Sequence, residues 1–319
     1  MTARQARVAV IGGGPTGLMA AEVLAGAGVV VDLFDAMPSV GRKFLMAGKG
    51  GMNLTHAEPF ERFVARYGSR SETVGGWLAD FGPEALRQWA KGLGVETFVG
   101  SSGRIFPTDM KAAPLLRAWL HRLRQAGVRF HMRHRWLGFG PGGGLHFATS
   151  EGESMLHPDA TVLALGGGSW ARLGSDGAWV PLLRGQGVRV AELRPANCGF
   201  DVAWSQHFRS RFAGEPVKSV EASFVDGTGV SHRRAGELIV TEAGIEGGLV
   251  YALAAPLRDA IEASGGASLH LDLAPGRSQE RVLAEVAHPR GSRSLASHLQ
   301  SRIGIGGVKA GLLRECLSK

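Results

Sequence analysis

Short unbroken apolar runs alternate along this chain with stretches whose apolar residues recur at helical spacing. The first run, "RVAVI" at residues 7–11, has the length and β-branching of a buried strand. "LMAAEVLAGAG" follows, rich in helix formers and closed by glycine, and predicts a helix. "VVVDLFD" predicts a second strand ending at Asp35, and residues 161–165 a third. Residues 58–126 read as a helical excursion. Its last helix starts in "PTDMKAAPLLRAWLHRLRQAG", with Thr108 or Asp109 as N-cap and Pro114 in the first turns. "HMRHRW", at 131–136, predicts an exposed strand, and the scattered histidines read as surface residues. After "AELRPANCGF" the pattern changes. "PVKSVEASFVDG", "GELIVT" and "ASLHLDLAP" predict strands, a helix begins near Gly247, and helices run from 278 to the end. The expected organisation is two domains, residues 1–192 and residues 193–319.

The first strand, the helix and the second strand enclose a glycine cluster. Gly12, Gly14 and Gly17 stand in G-x-G-x-x-G register, with Pro15 and Thr16 inside the turn. Gly12 permits the tight turn, Gly14 lets backbone approach a pyrophosphate, and Gly17 lets the helix pack against the strand. The helix N-terminus offers free N–H groups and the positive end of its dipole to phosphates. Asp35 closes the second strand, where a carboxylate accepts hydrogen bonds from ribose hydroxyls. The fold class this predicts is α/β, a Rossmann-type dinucleotide-binding domain. The fingerprint does not separate NAD from FAD.

A second cluster, "GRKFLMAGKGGMNLTH" at 41–56, separates them. Arg42 and Lys43 arrive beside the ribose end. Gly50 and Gly51 are too close together for a helix, and they predict a loop whose N–H groups face a ligand. Asn53 and Thr55 add side-chain donors and acceptors. A nicotinamide enzyme has no need of such a loop here, whereas FAD carries a distant isoalloxazine whose polar edge takes hydrogen bonds. A third contact is expected in "TVLALGGGSW", where Ala164, Gly166 and Gly167 let the chain cross close to the ligand. Asp176 and Gly177 then reach the flavin side, or Asp176 closes an Asx-turn. For chemistry, Lys49 is a candidate cation beside the flavin's pyrimidine edge, or a solvated loop lysine. Lys111 opposes a helix dipole at a cost of roughly 0.3–1 kcal/mol. Either an anionic substrate offsets that cost, or Lys111 pairs with Asp109 at the surface.

"VAVIGGGPTGLMAA", "GRKFLMAGKGGMNLTH", "GRIFPTDMKAAPLL", "TVLALGGGSWARLGSDGAW" and "GELIVTEAGIEGGLVYALAAPLRD" together resemble the BaiN/YhiN-like family of bacterial FAD-dependent oxidoreductases. The resemblance runs from about residue 7 to the C-terminus. It implies FAD as cofactor and a Rossmann-type FAD-binding domain of the two-dinucleotide-binding flavoprotein superfamily. It also implies an inserted β-rich plus helical domain, and C–H or C=C redox chemistry on a small organic substrate. The family's second cluster commonly reads G-x-G-R-C-N-x-T. Asn53 and Thr55 match it, while Lys49, Gly51 and Met52 depart. Leu165 stands where such flavoproteins usually carry threonine. The family's chain returns to the FAD domain at its end, and no such return is read here. The alternative expectation is therefore a truncated flavin-binding protein without efficient turnover.

Composition narrows the partners. Glycine, at 48 residues, is about twice the usual ~7%, more than turns alone require. The net charge of +8 raises nucleic acid, acidic membranes and phosphorylated ligands as partners. No basic run of five or more appears, so neither nucleic acid nor membrane is expected. Cys198 and Cys316 lie far apart and outside any C-x-x-C, which argues against a disulfide scaffold, and no metal site is expected. The apolar run before Gly12 is too short for a signal peptide, and a cytoplasmic protein is expected. No second strand, G-x-G-x-x-G and helix in succession is read, so NAD(P)H as a docked reductant, or O2, is the expected redox partner.

Overall fold

The computed structural model describes residues 4–48 and 50–317. The chain forms two compact units, Met1–Leu193 and Arg194–Lys319. The first unit opens with β1 (Arg7–Ile11), α1 (Pro15–Gly26), β2 (Val30–Asp35) and α2 (Arg42–Ala47). It continues through β3 (Thr55–His56), α3 (Phe60–Ala65), α4 (Ser71–Asp80), α5 (Pro83–Gly92), β4 (Thr97–Val99), β5 (Arg104–Pro107) and α6 (Ala112–Gln125). It ends with β6 (Arg129–Met132), β7 (Arg135–Phe139), β8 (Leu145–Thr149), β9 (Gly152–Leu156), β10 (Ala160–Leu163) and α7 (Trp179–Gly185).

A parallel sheet in the order β10-β1-β2-β6 carries the unit, with Val10 opposite both Val162 and Leu33. Period-two alternation sends successive residues to opposite faces. Val10, Val31 and Leu33 pack with Leu18 and Ala21 of α1 and with Leu115, Trp119 and Leu123 of α6. Ala9, Ile11 and Phe34 face the other way, onto Trp136, Leu145 and Phe147 of the antiparallel meander β7-β8-β9. Both faces are therefore covered, as the near-continuous apolar runs of β1 and β2 require. Glu22 ties α1 to its neighbours by accepting hydrogen bonds from the Trp89 and Trp119 indoles and from Arg122.

Three readings change. The excursion at 58–126 is not wholly helical: β4 and β5 form a small antiparallel sheet with β3, closed by the turn Gly100–Gly103. The last helix starts at Ala112 with Lys111 as N-cap. Thr108 instead bonds the Glu96 carbonyl, and Asp109 accepts the Lys111 N–H at 3.0 Å. Finally, "HMRHRW" is not one exposed strand. The chain turns at Arg133, in the left-handed region at φ 59°, between β6 and β7. There His131 stacks on Phe34 and its Nε2 lies 2.7 Å from Asp32, so it is no simple surface residue. His298, in the second unit, is 2% exposed and bonds the Val286 carbonyl.

The second unit holds β11 (Phe200–Asp201), α8 (Gln206–Phe212), β12 (Pro216–Val225), β13 (Ser231–Val240), β14 (Gly244–Glu246) and α9 (Gly248–Ala252). Next come α10 (Ala254–Ser264), β15 (His270–Asp272), α11 (Gln279–Ala287), α12 (Leu295–Ile303) and α13 (Gly307–Leu317). Its sheet is antiparallel, in the order β11-β14-β13-β12-β15. Phe208, Phe224, Leu238, Leu257 and Leu312 fill the core between sheet and helices. The Asp226 carboxylate closes the β12–β13 hairpin by accepting from the Thr228 and Val230 N–H groups.

Candidate functional site

The site forms where the parallel strands of the first unit end. Gly12 leaves β1 at φ 110° and donates to the Phe34 carbonyl at 2.8 Å. A Cβ there would lie 2.2 Å from the Ala164 carbonyl oxygen, and one on Gly17 would lie 1.8 Å from the Gly12 oxygen. These two glycines thus pack β1, β10 and α1 together. Gly14 differs: a Cβ on it would meet nothing within 4 Å, so its backbone faces open space. Pro15 opens α1, where its missing N–H costs nothing, and the next N–H groups of the first turn have no intrahelical acceptor.

That space is a cavity of about 250 Å³, walled by Gly12, Gly13, Gly14, Pro15, Thr16, Asp35, Arg42, Lys43, Ala164, Gly166 and Gly167 among others. Asp35 accepts from the Gly13 N–H and the Met37 N–H, both at 2.7 Å, and so shapes the glycine turn. Burial pushes its carboxyl above the usual range, against the pull of those N–H groups and of Arg42. Arg42 has a buried Nε with no hydrogen-bond partner among the described residues. Lys43 is exposed and bonds Ser169 Oγ at 2.7 Å and Ser175 Oγ at 3.5 Å, while Ser175 donates to the Gly167 carbonyl. The first and third glycine stretches and Arg42 therefore meet at one cavity. Two cationic side chains, helix N–H groups and a wall rich in glycine fit a diphosphate. They fit the pyrophosphate of a dinucleotide in particular.

The other sequence candidates among the described residues do not line this cavity. Gly51 packs under Met110, and Asn53 donates to the Thr55 and Ile105 carbonyls. Thr55 itself pairs with Ile105 in the small sheet, and Gly50 lies in the adjoining turn. Lys49 lies outside the described residues. Lys111 is exposed at the start of α6. Gly177, at φ 71°, supports the loop beside Leu193. Asp176 closes an Asx-turn onto the Ala178 N–H at 3.1 Å and meets Arg135 at 3.4 Å. The Ala178 N–H first, and Arg135 after it, hold its carboxyl below the usual range. Asp176 lines a second cavity of about 100 Å³, which shares Gly12, Asp35, Leu165 and Gly174 with the first.

Sequence reasoning passed over Gly13, Gly41, Ser175, Trp136 and Trp179. Gly13 was legible in the triple glycine, since a Cβ there would strike Val40 and Asp35. The two tryptophans carry no local signal. Among the described residues no cluster of three or more His, Cys, Asp or Glu could hold a metal, and no helix is long and apolar enough to cross a membrane.

A parallel α/β sheet backed by an antiparallel meander, with a glycine-turn cavity at its strand ends, defines a Rossmann-type dinucleotide-binding protein. The chain belongs to the HI0933-like family. The family model described as "HI0933-like protein Rossmann domain" matches residues 6–315. A 3-dehydro-bile acid delta(4,6)-reductase of Clostridium scindens is 26% identical over 280 residues, covering 86% of this chain and 66% of that protein. The chain thus spans slightly less than two thirds of that relative's length. The open conformation of a flavocytochrome c3 fumarate reductase superposes with a TM-score of 0.50 at 18% identity, over 70% of this chain and 49% of that one. That likeness is one of fold. The cofactor of the family is FAD.

Proposed function

We propose that the chain is an FAD-dependent oxidoreductase acting on a C=C or C–H bond of a small organic molecule. The observation that carries this reading is the cavity itself, whose wall joins the glycine turn, the start of α1, the glycines at 166 and 167, and Arg42, whose Nε has no hydrogen-bond partner among the described residues. FAD, when bound, supplies the two-electron chemistry. The chain's own residues do the rest. The turn at 12–17, Gly166, Gly167 and Arg42 hold the pyrophosphate, and Asp35 holds the adenosine ribose. The Clostridium scindens relative is named for the reduction of a 3-dehydro bile acid. Reduction of a C=C bond is accordingly the first reaction to assay, with NADH or NADPH as reductant.

The test begins with the purified protein, its visible spectrum read before and after FAD is added and free FAD filtered away. A retained flavin spectrum that bleaches on reduction and returns on addition of substrate supports the reading. Failure to retain FAD removes it. Asp35→Ala is expected to weaken FAD binding by about 1.5–3 kcal/mol, the range for a hydrogen bond to a charged group. It loses the ribose contact and frees the Gly13 N–H. Calorimetric titration giving wild-type affinity would show that Asp35 does not hold the ribose.

A further inference from the structure

The sheet of the second unit has β11 at one edge and β15 at the other, yet residues of both edges line one cavity of about 610 Å³. The sheet therefore curls until its two edges face the same space, and Leu257 and Ile261 of α10 and Leu312 of α13 complete the wall. That wall is apolar. Phe200, Val202, Ile261, Leu269 and Leu271 all belong to it, and all are only half-buried. Asp201 is the one ionisable residue among its described residues, and the Trp204 indole already donates to the Gly244 carbonyl. A void of this size left dry would cost as much as a domain's whole stability, and water inside it finds few polar partners. The space calls for an apolar guest, and pockets that hold small organic molecules span about 300–1,000 Å³.

The edges themselves argue against a strand as that guest. β11 has two residues and β15 three, too short to template an extended peptide. What β11 does offer is one polar anchor. Val202 donates to the Ala243 carbonyl, so alternation along the strand turns the Asp201 N–H and C=O away from β14 and towards the free edge. We infer that the second unit carries a binding site of its own for an uncharged, apolar ring compound with one polar end. The body of the compound packs among the half-buried side chains, and its polar end meets the bare backbone of β11. An anion is disfavoured, because Asp201 stands in the wall and no lysine or arginine does among the described residues. The site does not depend on FAD, since every residue of its wall lies in the second unit.

N-phenylnaphthylamine and anilinonaphthalene sulfonate share a ring system and differ by one sulfonate. Fluorescence titration of the full chain is expected to show saturable binding of the uncharged probe, one per chain, with and without added FAD. The sulfonate should bind about tenfold more weakly or worse. The net charge of +8 would favour the anion at any unspecific surface site, so the opposite preference marks the cavity. Ile261→Trp places a larger ring in the space. It should weaken the uncharged probe about tenfold or more, while the melting temperature without ligand holds or rises. Ala267→Trp fills the same cavity from the loop before β15, and provides the second variant should Ile261→Trp melt early. No saturable binding to wild type would overturn the inference, as would sulfonate binding of equal strength. Wild-type probe affinity in a stably folded filling variant would overturn it too. So would a chain that sediments as a dimer and binds no probe, since a second copy would then be the guest.

Discussion

Gly17→Ala is expected to reduce FAD affinity at least tenfold, about 1.4 kcal/mol or more, and to lower the stability of the first unit. A Cβ at this position would lie 1.8 Å from the Gly12 carbonyl oxygen and 3.3 Å from the Ala164 side chain. The atom struck is backbone, which cannot swing aside as the end of a long side chain can. The start of α1 must instead move away from β1, carrying off the N–H groups that face the cavity. Forcing an extra methyl into packed structure costs about 1–3 kcal/mol, and contact with backbone places this case at the upper end. Gly14→Ala is the control. Its Cβ meets nothing in the protein, so the fold should melt as wild type does. FAD titration with thermal denaturation on both variants decides the matter. If Gly17→Ala binds and melts like wild type, the turn is not the packed hinge described here.

The second large effect lies at the opposite end of the sheet. Asp32 is 1% exposed and accepts from Arg7 Nε and Arg129 Nη2 at 2.7 Å each, with His131 Nε2 also at 2.7 Å. Burial works to raise its pKa, but the hydrogen bonds of Arg7, His131 and Arg129 outweigh burial, and the carboxyl sits below its usual 3.8. Which partner is removed matters. Arg7 and Arg129 are 41% and 51% exposed, so after Asp32→Ala they can hydrate, and the loss should stay near ~2–3 kcal/mol. Removing both arginines, as Arg7→Met with Arg129→Met, leaves the buried carboxylate with His131 as its one remaining side-chain partner among the described residues. That double variant should lose about 3–5 kcal/mol. Because the folded pKa lies below the unfolded one, ionised Asp32 stabilises the fold above about pH 4. That contribution disappears as the pH falls through the folded value. Urea unfolding at neutral pH and between pH 4 and 2 should show wild type losing its advantage over Asp32→Ala. A constant difference across that range would contradict the ion cluster.

The core of the Rossmann unit was legible because its signals are local. β-Branched runs specify buried strands, glycine spacing specifies a turn that only glycine can make, and Asp35 ends a strand by position alone. The family followed from five motifs and the family model agrees with it. Local signals misled where neighbouring groups competed for the same residue. Asp109 could cap a helix, but the Lys111 N–H took its carboxylate and the helix began later. "HMRHRW" alternates like an exposed strand, yet Asp32 on a neighbouring strand draws His131 inward.

The second glycine cluster divides along the same line. Arg42 reaches the cavity because α2 begins one residue after Gly41, whose φ of 67° redirects the chain. Asn53 and Thr55, in the same sixteen-residue stretch, are held by β5, fifty residues further on. No local pattern announces that pairing. Trp136 and Trp179, whose buried indole N–H groups have no hydrogen-bond partner among the described residues, are the extreme case, since each reads in sequence as an ordinary core aromatic. The sequence by itself determined the first two strands, the glycine turn between them and the carboxylate that ends the second, because each depends on residues within a few positions of one another. The tertiary structure alone decided which donors are left without acceptors, because an empty hydrogen bond is a property of everything packed around the atom.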